Sequence, residues 1–129
     1  MGAMKTTRAA ILVLAVTATL VLASTAPATT ANKVCPTLTG HTWHSGGKSG
    51  SKYKWEVIGT AFTCGNAKHW VLKLLAEHVR GTGRVSLQGG PSGYHCVGSL
   101  LDAKGYPYWG MCYQGTVAFP KNGFSWFPA

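Results

Sequence analysis

The stretch His95-Cys96-Val97-Gly98-Ser99-Leu100-Leu101-Asp102-Ala103-Lys104-Gly105-Tyr106-Pro107-Tyr108-Trp109-Gly110-Met111-Cys112-Tyr113 decides the architecture. Asp102 opens and Gly105 closes a segment suited to a type I turn, with the glycine in the left-handed position of a bulge. A hairpin folded there pairs Leu101 with Pro107, Gly98 with Gly110 and Cys96 with Cys112. Pro107 then takes a non-hydrogen-bonded site, where its missing N–H does no harm. The facing glycines leave a flat spot on which a helix can settle. In the same count the two cysteines form a hydrogen-bonded pair, ~5.5 Å apart at Cα and less close in their side chains. No cross-strand bridge is expected; both sulfurs point toward the face that receives the helix. The odd face carries Val97, Leu101, Trp109, Met111 and Tyr113.

The helix lies upstream. Ala67, Trp70, Val71, Leu74, Leu75 and Val79 recur at helical spacing and make one apolar stripe. Thr63 or Asn66 can cap its start, and Gly81 stands where a glycine ends a helix. Before it, Tyr53, Trp55 and Val57 alternate with Lys54, Glu56 and Ile58, the period of a strand. After it, Val85 and Leu87 suggest a short strand before the breaker Gly89-Gly90-Pro91. Downstream, Val117 and Phe119, then Phe124 and Trp126, flank Lys121-Asn122-Gly123 and read as a second hairpin. The expected fold is α+β: one amphipathic helix on a small antiparallel sheet, within a single domain over residues 53–129.

Residues 29–52 are polar and rich in Gly and Ser, and read as an irregular arm held by Cys35. Ahead of it stands an export leader over residues 1–28. Lys5 and Arg8 precede the 15-residue run Ala9–Ala23, which is apolar apart from Thr17 and Thr19, and small residues follow. That run is short for a bilayer span, which needs ~20 residues. Cleavage after Ala28 or Ala31 satisfies the small-x-small rule.

All four cysteines, Cys35, Cys64, Cys96 and Cys112, fall beyond the leader and imply two disulfides in an exported domain. No two are closer than 16 positions, so zinc spacing is missing. The helix-docking argument joins Cys64 to Cys96 or Cys112 and leaves Cys35 the other. The chain carries 12 Lys+Arg against 3 Asp+Glu, and loss of Lys5 and Arg8 with the leader lowers its +9 to +7. Such a balance draws a protein to anionic surfaces and also keeps it soluble.

Cys64-Gly65-Asn66-Ala67 at the helix start, Gly90-Pro91-Ser92-Gly93-Tyr94-His95-Cys96, Gly110-Met111-Cys112 and Phe124-Ser125-Trp126-Phe127-Pro128 carry a resemblance. Over residues 55–128 the chain resembles a loose group of small secreted proteins of high-GC Gram-positive bacteria. Those share a Cys-x-x-Ala helix start, a Gly-x-x-Cys strand and a later Cys. The resemblance implies fold and export, and no activity.

Catalytic chemistry is hard to assemble from these residues. Gly47-Lys48-Ser49 lacks the earlier glycine of a phosphate loop, that place being Thr42. The only carboxylates, Glu56, Glu77 and Asp102, have ordinary structural reasons to be where they are; Glu77 follows Lys73 by four residues and suggests a surface pair. No cofactor motif is present, and His41-Thr42-Trp43-His44 with His95 is a sparse metal set. Nine aromatic residues crowd the last 36 positions. Trp109, Met111 and Tyr113 either form an exposed patch for sugars or a protein, or are covered by Phe124 and Trp126 as a second small core.

The expected protein is secreted, disulfide-stapled and non-catalytic, an extracellular or cell-envelope interaction domain. Its partner class is an anionic cell-envelope polymer or an extracellular protein. A small basic ribonuclease-like hydrolase, with His41, His44, His69 or His95 converging beside a lysine, and an inhibitor of an extracellular enzyme are the alternatives.

Overall fold

The computed structural model describes Gly2 and residues 32–129. The expected leader therefore lies, Gly2 apart, outside the described residues. In chain order the elements are β1 (Lys33–Val34), β2 (Leu38–Ser45), β3 (Lys48–Ile58), α1 (Cys64–Leu75), β4 (Val85–Leu87), β5 (His95–Leu100), β6 (Trp109–Gly115) and β7 (Pro120–Pro128). The seven strands make one antiparallel sheet in the order β1-β3-β7-β6-β5-β4, with β2 also paired to β3. The weight of this α+β chain is on the sheet.

The helix begins where the capping residues place it. Thr63 Oγ1 accepts from Asn66 N–H at 3.2 Å while Asn66 Oδ1 accepts from Thr63 N–H at 2.8 Å. That reciprocal box satisfies two donors a helix start leaves open. Ala67, Val71, Leu74 and Leu75 are buried against Tyr53, Trp55, Val57, Phe124 and Trp126 in one core. Trp70 packs only at the margin of that cluster. The helix stops at Leu75, short of the expected Gly81, because the chain has other partners there. Glu77 turns to the loop after β4, and Val79 N–H donates to Gly105 O at 2.9 Å. The Lys73–Glu77 surface pair is therefore replaced by a carboxylate facing backbone.

Residues 38–52 are not an irregular arm. Ser45 pairs with Lys48 across Gly46-Gly47, whose φ values of 55° and 74° make a two-residue hairpin turn. The Gly/Ser enrichment marks that turn, and much of the hairpin is polar because it reaches into solvent. The expected second hairpin is also displaced. The chain turns at Thr116–Phe119, where Phe119 N–H donates to Thr116 O at 3.1 Å, and β7 runs unbroken through Lys121-Asn122-Gly123. Gly123 has a φ of 149° and lies against the Cys112 backbone so closely that a Cβ would collide. Its glycine signal reports a close crossing rather than a turn.

The disulfides correct the expected connectivity. Cys35 is bonded to Cys64, and Cys96 to Cys112. The hairpin register is as expected at Cys96 opposite Cys112 and Gly98 opposite Gly110, but nearer the turn Leu100 pairs with Trp109, one position off the count that sets Leu101 against Pro107. An irregularity between Gly98 and Leu100 lies between the turn and the cysteines. The alternation of hydrogen-bonded sites counted outward from the turn does not carry across it. The cysteine Cα atoms are 4.0 Å apart, nearer the ~4.5 Å of a non-hydrogen-bonded pair than the ~5.5 Å assumed. Cys35 reaches the helix start because its own N–H donates to Trp55 O at 3.0 Å, at the end of β1. The flat spot at the facing glycines is filled by Pro107 and the Trp126 ring, not by the helix.

Candidate functional site

Strand alternation sorts the sheet into two faces. Phe124, Trp126, Tyr53, Trp55 and Val57 form the core with the helix, and Cys96 and Cys112 belong to the same buried cluster under the Gly90 loop. Their neighbours Val97, Trp109, Met111, Tyr113, Ser125 and Phe127 therefore stand on the opposite, outer face. Phe124 and Trp126 do not cover Trp109, Met111 and Tyr113; they face the other way. Trp109 remains 46% exposed, and Met111, Tyr113 and Phe127 are half-buried.

These outer residues form rows across the strands. Trp109 and Phe127 rings lie 5.7 Å apart at an interplanar angle of 32°. Lys54 is the direct partner of Phe127 across β3 and β7, and it is exposed. Lys52 lies two positions along the same face, its Nζ donating to Thr39 Oγ1 at 2.6 Å. In the next row Met111 stands between Val97 and Ser125. Beyond it, the His95 and Tyr113 rings are 5.8 Å apart. Parity within the hairpin places Trp109, Met111 and Tyr113 together; Phe127 joins them only through the pairing of β6 with β7, where Gly110 stands opposite Trp126.

The three carboxylates are each occupied. Glu56 accepts from Asn32 Nδ2 at 2.9 Å and from Ser125 Oγ at 3.4 Å. Glu77 accepts from the N–H groups of Gln88 and Gly89 at 2.7 and 2.9 Å. Asp102, the buried one, accepts from His44 N–H at 3.0 Å, Lys104 N–H at 3.0 Å and Tyr106 N–H at 2.9 Å. It ties the β5–β6 turn to β2, a seam reinforced by Ala103 N–H donating to His44 O at 2.9 Å. Trp43 stacks on Tyr108 at 5.3 Å and His41 on Tyr106 at 3.8 Å along the same seam. Tyr53 OH donates to His41 O there, and burial, then the Asp102 charge, push its phenol up to about 12.

Burial of Asp102 favours the neutral acid, but the backbone hydrogen bonds from Tyr106, His44 and Lys104 outweigh it and hold the carboxyl below its usual range. A depressed folded value means stability that is present above the ordinary carboxyl pKa of about 4 and lost as pH falls through the folded value. Asp102→Ala should cost ~1–3 kcal/mol at neutral pH. Denaturant midpoints of parent and variant should converge as the pH drops below about 4.

The histidines divide between the turn at Asp102–Tyr106, which His41, His44 and His78 approach, and separate positions at His69 and His95. His41 and His78 contact Tyr106, His69 lies against Trp70, and His95 lies beside Tyr113. His44 meets the Asp102 seam through its backbone. Among the described residues, no three of His, Cys, Asp and Glu form a metal-ligand group, and no helix is long and apolar enough to cross a membrane. No family model, no curated protein and no solved structure matches the chain.

Proposed function

We propose that this chain is an exported, non-catalytic binding protein whose outer sheet face grips an anionic cell-envelope polymer. The observation that carries the reading is the Trp109–Phe127 ring pair, with Trp109 46% exposed on the face the helix leaves open. Aromatic rings present flat apolar area that packs on the C–H faces of sugars. Lys54 and Lys52 stand on the same face, and the excess of 12 Lys+Arg over 3 Asp+Glu supplies long-range attraction to an anionic polymer. Two disulfides suit an oxidising, extracellular setting, in line with the leader sequence and with the resemblance to small secreted Gram-positive proteins.

Co-sedimentation with purified Gram-positive cell walls tests the reading. The parent should bind at low salt and retain a fraction at high salt, because charge contacts are screened beyond ~8 Å at physiological ionic strength while ring packing is not. The double variant Trp109→Ala/Phe127→Ala should lose the salt-resistant fraction, weakening binding by ~10-fold or more. Both side chains lie outside the core, so its thermal transition should remain cooperative. A parent that does not sediment with walls at any salt removes the reading.

A further inference from the structure

A groove of about 440 Å³ opens at the β4–β5 end of the sheet, bounded by the outer-face residues Ser86, His95, Val97 and Tyr113 and by the loop that follows β4. We infer that this groove is a binding site for a neutral sugar ring, the recognition unit of the polymer proposed above; the inference rests on that reading and narrows it.

The volume is in the range that holds a small ligand, ~300–1,000 Å³. Its polar side chains are the hydroxyls of Ser86, Ser92, Tyr94 and Tyr113, the amide of Gln88 and the imidazole of His95. Tyr113 supplies a ring on the wall shared with the aromatic face. No Asp, Glu, Lys or Arg lines it. Hydroxyls and an amide both donate and accept, which matches the hydroxyl-rich edge of a pyranose. The Tyr113 ring matches its C–H face. A phosphate or carboxylate would find no lysine or arginine among the lining side chains, so the anionic part of the polymer is left to Lys52 and Lys54 outside the groove.

The loop wall is fastened before any ligand arrives. Both Glu77 oxygens accept from it, at Gln88 N–H (2.7 Å) and Gly89 N–H (2.9 Å). Gly90 sits so close to the Cys96 sulfur that a Cβ would collide with it. Tyr94 N–H donates to Pro91 O at 3.2 Å, and the Tyr94 ring packs on Phe62 at 5.1 Å. A loop of glycine and serine would otherwise lose much conformational freedom on binding; here that ordering cost is met during folding.

The test is an amide-resolved NMR titration of the full chain with both disulfides formed. The probes are N,N′-diacetylchitobiose, a neutral disaccharide, and polyglycerol phosphate, an anion without a sugar ring. Chitobiose should move the Ser86, Gln88 and His95 signals saturably and with little dependence on salt. Gln88→Ala/His95→Ala should weaken that binding by ~10-fold or more with an unchanged melting temperature, since the Gln88 N–H that Glu77 holds is retained. Chitobiose that moves nothing while cell walls still bind the protein overturns the groove and leaves the sheet-face reading standing. Polyglycerol phosphate moving the same groove signals overturns the assignment to a neutral ring. Chitobiose binding without wall binding keeps the groove and removes the polymer.

Discussion

Trp126→Ala should destabilise the protein by ~3–5 kcal/mol, the usual cost of deleting a buried large aromatic. Trp126 is 0% exposed, its Nε1 donates to Pro107 O at 2.9 Å, and its ring covers Gly110 on the neighbouring strand. Truncation leaves a cavity and an unpaired buried carbonyl together. For a domain of about 100 residues each kcal/mol moves Tm by ~4–8 °C, so a fall of roughly 15 °C or more is expected in a thermal melt. Trp70→Ala, at the edge of the helix contact, should cost clearly less. A Trp126→Ala protein that melts within a few degrees of the parent would mean that β7 presents its other face to the helix. Trp109 and Phe127 would then be core residues, and the binding surface would vanish with the inversion.

Removing the disulfides should have effects of similar size. Cys35–Cys64 spans 29 positions and Cys96–Cys112 spans 16. The chain-entropy relation gives ~3.6 kcal/mol for the first and ~3.1 for the second. Cys35→Ala/Cys64→Ala should therefore be the more damaging pair by chemical denaturation, and it frees the β1–β2 junction from the helix start. Cys96→Ala/Cys112→Ala should loosen the Gly90 wall of the groove as well, because that glycine rests on the bridge. Peptide mapping of an unreduced digest should recover Cys35 with Cys64 and Cys96 with Cys112. Any peptide joining Cys64 to Cys96 or Cys112 contradicts this connectivity.

Local chemistry was readable from the sequence, and long-range choices were not. The Thr63/Asn66 box and the inner stripe of α1 follow from spacing within a few residues. So do the pairs Gly98–Gly110 and Cys96–Cys112 of β5 and β6, counted from the turn at Asp102–Gly105. The bridge across that register is not legible in the sequence, because one irregularity at Gly98–Leu100 resets the hydrogen-bond alternation and no residue type announces it. The β2–β3 hairpin is not legible because β2 and the first half of β3 are mostly polar; only Tyr53, Trp55 and Val57 in the second half of β3 carry the apolar alternation of a strand. Asn122-Gly123 carries a turn signal, yet the glycine is required by the backbone of Cys112 beside it. For the site, parity placed Trp109, Met111 and Tyr113 on one face. Among the described residues the helix lies on the other side of the sheet and leaves Trp109 exposed, which only packing decides. The groove depends on Glu77 reaching Gln88 and Gly89, 11 and 12 residues away, and a surface pair with Lys73 was the simpler inference.

Side-chain oxidation footprinting of the protein alone and bound to cell walls tests the central claim most directly, because it shows which face the polymer covers. Trp109, Met111, Tyr113 and Phe127 should become protected together, while Trp70 and His69 on the helix side keep their free-state reactivity. Protection of Trp70 and His69 with the four sheet residues unchanged would contradict the assignment of the outer face as the binding surface.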